Sequence, residues 1–340
     1  MRAMLLLALC LLSGGANASG PDPALVEAAR KEGTVVWYST LIVNQIVRPM
    51  VAAFEAKYPG IKVEYSRSAS SDVALKIANE ARARRVQSDI FDGSNTVFLL
   101  RDPRLVTSYT PKAVDAWPAE LKSKDGTWTA LNIFYWTAAY NTDLVKPGDV
   151  PKTYEDLLDP KWKGKIAWTY DLTPGGPPGF VHNILSTMGQ EKGMAYLKAF
   201  ARQEPVTIPG AQRVVLDKVI SGEYPLCVMI LNYHAAISMK AGAPVQWLKM
   251  EPLIQTMSLV SITGGAPHPN AARLMVEFML SEEGQKVFAD NDYIPAHPGV
   301  PARVPELKPD AGGFKVNLIS PDMVRDHAPE WVALYKDLFR

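Results

Sequence analysis

The chain of 340 residues carries 36 basic and 35 acidic side chains, a formal net charge of +1, and only two cysteines. That balance argues against a polyanion as the main partner, because nucleic acids and anionic membrane surfaces are gripped by an excess of lysine and arginine. The length allows two lobes with separate cores. No apolar run beyond the N-terminal leader reaches the ~20 residues of a membrane-spanning helix.

Residues 1–18 have the form of an export signal: Arg2, an apolar stretch over 4–12, then small residues ending in Ala16-Asn-Ala18. The mature chain is expected to begin near Ser19, outside the cytoplasm. Cys10 follows Leu9 inside the apolar stretch, where a lipidation site needs a small residue, so no lipid anchor is expected. Once the leader is cleaved, Cys227 is the sole cysteine and an intrachain disulfide is excluded.

The first elements repeat a unit. A helix over 23–31 stops at Gly33; Thr34-Val-Val-Trp-Tyr-Ser39 reads as a buried strand; 45–58 places Ile46, Val47, Met50, Val51 and Phe54 on one helical face. Ile61-Lys-Val-Glu-Tyr65 is a second strand, 72–84 a helix with Val73, Ile77 and Ala81 inward, and Ser88-Asp-Ile-Phe-Asp92 a third strand. These are βαβ units with right-handed crossovers. Three strands thus end in hydroxyl- or amide-rich loops: Ser39-Thr40, 68–71 and Ser94-Asn95. Taken singly, each loop caps the next helix. Their recurrence at the carboxyl edge of a parallel sheet is where ligands bind.

Residues 105–127 read as irregular surface. Strands over 128–134 and 137–141 mark the first crossing between lobes, and a short helix begins after Pro151. The stretch 165–188 combines a short strand, the loop Thr173-Pro-Gly-Gly-Pro-Pro-Gly179 and a helix start, a geometry that offers free backbone N–H groups to an anion. A plain strand-to-helix turn explains it equally. Helices over 190–200 and 211–221, a short strand at 206–208, the buried strand Leu226-Cys-Val-Met-Ile-Leu231 ending in Asn232-Tyr233-His234, and a strand at 245–248 complete a second lobe. A return strand at 257–263 crosses back; two helices over 269–290, coil over 293–305 and an amphipathic helix over 322–339 end the chain.

The usual catalytic signatures are missing: there is no G-x-S-x-G elbow, phosphate-binding loop, dinucleotide fingerprint or H-E-x-x-H. Cys227 lies in an apolar strand and reads as core. The histidines at 182, 234, 268, 297 and 327 lack metal-ligand spacing, with His182 and His268 reading as surface or capping residues. Tyr233 and His234 form the one pair with iron-ligand chemistry, set against a plain hydrogen-bonding wall. Arg213 offers a fork to a carboxylate or phosphonate, set against a solvated helix-start arginine.

Seven segments, in order and at family-like spacing, carry a resemblance over essentially the whole mature chain. They are Gly33-Thr-Val-Val-Trp-Tyr-Ser39, Phe54-Glu-Ala-Lys-Tyr-Pro-Gly-Ile-Lys-Val63, Asp89-Ile-Phe, Leu158-Asp-Pro-Lys-Trp-Lys-Gly-Lys-Ile166, Ser221-Gly-Glu-Tyr-Pro225, Lys240-Ala-Gly-Ala-Pro-Val245 and Phe278-Met-Leu-Ser-Glu-Glu-Gly-Gln-Lys286. The chain resembles the periplasmic solute-binding proteins of ABC importers, in the branch that includes the ferric-iron binders. The resemblance implies an α/β, two-lobed periplasmic-binding-protein fold of the type II kind, each lobe a mostly parallel sheet flanked by helices, with two interlobe crossings. It implies a monomer that closes on a small-molecule or ion ligand and hands it to a permease, with no cofactor of its own. Iron-binding members have two neighbouring tyrosines where this chain has Tyr233 and His234, and often a histidine or tyrosine in the loop that here reads Thr40-Leu-Ile-Val-Asn44. Both departures turn the expectation from Fe3+ toward a small polar or anionic solute, with Fe3+ held by Tyr233 and His234 as the alternative and a secreted α/β enzyme as the second. The cleft contacts carried over are Ser39, Thr40, Ser70, Asn95, Thr173, Gly175, Gly176 and Tyr233. The expected lobes are 22–133 plus 257–300 and 134–256 plus 301–340.

Overall fold

The computed structural model describes residues 20–115 and 117–339, so the export-signal reading at 1–18 lies outside the described residues. Helix α1 (Pro23–Glu32) is opened by Asp22, whose carboxylate accepts the Ala24 N–H, and is closed by Gly33 at φ +72°. Strand β1 (Thr34–Ser39) follows, then one π turn and α2 (Arg48–Lys57), β2 (Lys62–Arg67), α3 (Ser70–Arg82) and β3 (Ile90–Gly93). β1 lies parallel to β2 on one side and to β3 on the other. The carboxyl ends of all three strands therefore meet at one edge.

After the short β4 (Val106–Thr107), the chain enters β5 (Thr129–Asn141), one strand of 13 residues where the sequence pattern gave two. The apparent break came from lost alternation: β5 is buried almost throughout, so both of its faces are apolar and the period-2 signal disappears. The second lobe is built on β6 (Ile166–Thr169), α4 (Pro177–Met188), α5 (Gln190–Ala201), β7 (Val206–Ile208), α6 (Gln212–Ile220), β8 (Leu226–Leu231), α7 (Asn232–Lys240) and β9 (Val245–Leu248). β6 is parallel to both β7 and β8. The return strand β10 (Leu253–Thr263) starts four residues before the apolar pattern suggests, and α8 (Pro269–Leu280), α9 (Glu282–Asp290), β11 (Ile294–Pro295), α10 (Pro309–Gly312), β12 (Val316–Leu318) and α11 (Pro321–Phe339) complete the chain.

The two lobes share β5 and β10, the two crossings. Residues 129–136 of β5 run antiparallel to β10, while 136–141 run antiparallel to β8 and β9. β10 in turn meets β3 and β4 with its second half and β12 with its first. The ladder is irregular at both junctions. Its register jumps at Ser258/Leu259, leaving Leu131 unmatched, and again at Thr137/Ala138, leaving Met229 bulged at φ +60°. Bulges of this kind bend strands and re-aim their side chains.

The C-terminal helix packs on β6 and α4 through aromatic side chains. Trp331 stacks on His182 at 4.2 Å between ring centroids, and Tyr335 and Phe339 lie 5.6 and 4.9 Å from Trp168. His182 is thus a half-buried packing residue rather than a surface one; burial lowers its pKa. Cys227 is fully buried and its thiol is pushed up to about 12, so it is core, as its strand context implied.

Candidate solute cleft

A cavity of about 370 Å³ lies between the lobes. Its floor is made by the crossings, through Phe134 and Trp136 of β5 and Thr256 and Met257 of β10. The Trp136 indole N–H donates to the Thr256 hydroxyl at 2.7 Å, which fixes the ring across the floor.

The first-lobe wall is a junction of three loop ends. Asp92, fully buried at the end of β3, accepts the Trp37 indole N–H at 2.8 Å on one oxygen and the Thr40 N–H and hydroxyl at 2.9 and 2.6 Å on the other. Burial raises its pKa, opposed by the hydrogen bonds from Ser39, Thr40 and Trp37. Ser70, the first residue of α3, accepts the Asn95 N–H at 2.9 Å. Gly93, at φ +134°, makes the junction possible: a Cβ there would stand 2.5 Å from the Ser70 hydroxyl oxygen and 2.7 Å from the Thr40 methyl group. Arg67, the last residue of β2, lines the cavity with an exposed guanidinium that has no hydrogen-bond or ion-pair partner among the described residues.

The second-lobe wall is organised by Asp171. Its carboxylate accepts the Thr173 N–H at 3.0 Å and the Gln212 amide at 2.9 Å. Tyr233, at the start of α7, is buried against Tyr293, with ring centroids 6.4 Å apart, and against His234 at 4.4 Å. The Tyr293 hydroxyl accepts the Ile42 N–H at 3.3 Å, tying α7's wall to the loop after β1. The Tyr233 hydroxyl has no partner among the described residues. Burial raises the pKa of both phenols, so both are protonated donors at neutral pH. Burial and then the nearby Arg213 charge push His234 down to about 4, and its buried Nδ1 has no hydrogen-bond partner among the described residues.

Of the residues selected from the sequence, Thr40, Ser70, Asn95, Thr173, Gly175 and Tyr233 line this one cavity, and His234 lines it too. Ser39 and Gly176 do not. Ser39 is wholly buried, its hydroxyl accepting the Leu41 N–H at 3.1 Å. Gly176 is a packing position, since a Cβ there would lie 2.0 Å from the Asp171 carbonyl oxygen. The anion-holding role expected of the Thr173 to Gly179 loop is also reduced. The Thr173 N–H bonds to the Asp171 carboxylate, those of Gly176 and Gly179 bond to carbonyls within the loop, and prolines at 174, 177 and 178 have none, which leaves Gly175. Arg213 is engaged by Asp217 and Ser238. The sequence reading missed Arg67, Asp171, Gln212 and Tyr293. Arg67 had no distinguishing signal, since it is one of three charged residues spaced along β2, and Tyr293 sat in what read as proline-rich coil.

The family model described as bacterial extracellular solute-binding protein matches residues 73–312, and the chain belongs to that family. Its fold is that of the periplasmic binding proteins: iron-bound HitA from Pseudomonas aeruginosa superposes with a TM-score of 0.73 at 23% identity, covering 90% of this chain and 99% of that one. AfuA from Actinobacillus pleuropneumoniae, solved with fructose-6-phosphate bound, gives 0.71 at 22% identity over 91% and 99%. Iron uptake protein A1 of Synechocystis sp. is 27% identical over 197 residues, 54% of each chain, so this chain matches about half the length of that relative. The family's members are solute binders rather than enzymes.

Proposed function

We propose that this chain captures a small anionic solute in the cleft, closes its lobes on it by bending at the bulged crossings, and delivers it from the periplasm to an ABC importer's permease. It works as a monomer without a cofactor, with lobes 22–133 plus 257–300 and 134–256 plus 301–340. One observation carries the reading: an unpartnered guanidinium, Arg67, and an unpartnered neutral phenol, Tyr233, line one cavity from opposite lobes. A solute bearing carboxylate, phosphonate or phosphate oxygens satisfies both donors at once, and only when the lobes are together. Backbone and hydroxyl groups around Ser70 and Asn95 supply further contacts. That the structurally similar AfuA was solved with a phosphorylated sugar is in keeping with this.

Fe3+ as cargo is the second reading. It is favoured by the pairing of Tyr233 with Tyr293, a second phenol that the sequence did not offer, and by the names of HitA and of iron uptake protein A1. On this reading Tyr233, His234 and Tyr293 ligate the ion after the phenols ionise.

Thermal denaturation of the mature protein separates the two. With methylphosphonate, inorganic phosphate and small dicarboxylates, at least one should raise Tm by several degrees through mass action, and Arg67→Gln should abolish the gain. A visible absorption band after ferric citrate, with no shift from any iron-free anion, would reject the anionic solute in favour of iron.

A further inference from the structure

Helix α11 is anchored to the second lobe through Trp331, Tyr335 and Phe339, yet its first half reaches the first lobe. There it meets the 3₁₀ helix Asn95–Arg101, whose first residue lines the cleft, as do Pro321 and Val324 of α11 itself. Pro329 sits inside α11. Proline has no N–H, so the carbonyl four residues earlier, that of Arg325, loses its helical donor. The Arg101 guanidinium, from the other lobe, donates to that same carbonyl oxygen. Pro329 is solvent-exposed, so burial of its ring does not account for its presence in a helix interior.

Charge is arranged to match. Arg325 is held by Asp322 and Asp326 of its own helix, at 2.9 and 2.8 Å. Across the gap, Arg101 faces Asp326 and Asp125 faces Arg325, so each lobe presents one cation and one anion to its opposite in the other. The guanidinium of Arg101 also lies over Phe98, 5.4 Å from the ring centroid, which steers it along the 3₁₀ helix toward α11.

We propose that Arg101 and the Arg325 carbonyl left open by Pro329 form a latch across the rim of the cleft, which sets how far the ligand-free lobes stand apart. The latch lies outside the cavity and does not depend on which solute the cleft takes. Proline acts here by removing a competing donor: a helix with its full ladder would satisfy the carbonyl internally and leave Arg101 only the weaker charge contacts.

The test uses the mature protein without ligand, carrying spin labels at Leu75→Cys on α3 and Val214→Cys on α6, which are 59% and 40% exposed in the wild type. Cys227 is buried and does not compete for label. Pulsed dipolar spectroscopy then gives the interlobe distance distribution. Arg101→Ala and Pro329→Ala should each raise the ratio of long to short distances by about two- to fivefold, the size of a surface charge-assisted bond. The double variant should go no further than Arg101→Ala alone, because both break the same contact and the arginine's charge contacts are already gone in that variant. Stability should split the pair: Pro329→Ala restores a helical bond and raises Tm by a few degrees, whereas Arg101→Ala leaves Tm within about a degree. Wild-type distances in Arg101→Ala would remove the latch. Wild-type distances in Pro329→Ala, or effects that simply add, would overturn the role of the freed carbonyl.

Discussion

Two glycine-dependent loop clusters face each other across the cleft, and they use glycine in opposite ways. At the first-lobe junction, Gly93 gives way to side chains: it lets Thr40 and Ser70 close over Asp92, and the groups it admits line the cavity. In the second lobe, Gly176 and Gly179 give way to backbone, each with a Cβ position about 2 Å from a carbonyl oxygen, of Asp171 and Pro174 respectively. Gly175 lies under the Trp136 ring, 2.4 Å from a Cβ. The same residue type therefore builds a recognition surface on one side and a tight structural turn on the other. The difference lies in what a methyl group would displace.

This contrast can be broken by paired substitution. Gly176→Ala must move the backbone at Asp171 and should cost about 3 kcal/mol or more, seen as a large loss in urea midpoint or in soluble yield. Gly93→Ala meets only the Ser70 hydroxyl and the Thr40 methyl group, at a strained φ, and should cost roughly 1–3 kcal/mol while preserving the native circular dichroism and reducing solute affinity. If Gly176→Ala were as stable as the wild type, the loop would be the recognition surface that the sequence first implied.

The second-lobe wall should also be the acid-sensitive one. His234 has a folded pKa of about 4 against 6.5 when exposed. Above pH 6.5 the ring is neutral in both states and its contribution is complete. As pH falls from 6.5 toward 4, the unfolded chain binds a proton that the folded one refuses, so stability drops by at most about 3 kcal/mol. Urea melts across that range should show the decline, and His234→Gln should flatten it. A variant with the wild-type slope would assign the decline elsewhere, with His182 and His297 shifted in the same direction.

The smallest effect sharpens the comparison most. Tyr233→Phe removes an unpartnered hydroxyl, so apo stability should hold within about 0.5 kcal/mol while affinity for an anionic solute falls two- to tenfold, or about 1 kcal/mol. Calorimetric titration beside a thermal melt checks both. A variant that loses stability instead would make the hydroxyl a structural group.

Much of this is legible in the sequence. The βαβ repeat, the two crossings and the carboxyl-edge loops follow from hydrophobic periodicity and turn chemistry, because local pattern and chain order are what set a parallel ladder. Thr40, Ser70, Asn95 and Tyr233 were found by the rule that ligands gather at strand ends. Ser39 was lost because, as the last residue of β1, it is wholly buried, whereas Thr40, one residue past the strand, reaches the cavity wall. The reading of Thr173 to Gly179 as an anion cradle erred because the sequence shows which residues have N–H groups, but not which of those N–H groups already bond within the turn.

Sequence alone thus determined the parallel βαβ units and the edge at which their loops gather, consequences of short-range periodicity and connectivity, and the class of protein through the resemblance of its segments to a known family. Tertiary structure decided the charge and chemistry of the cleft. It brought Arg67 and Asp171 to the walls of one cavity, brought Tyr293 from 60 residues away to Tyr233, and gave the carbonyl left open by Pro329 to an arginine of the other lobe. A side chain's free valence depends on neighbours distant in sequence, and those are fixed only when the lobes fold and meet.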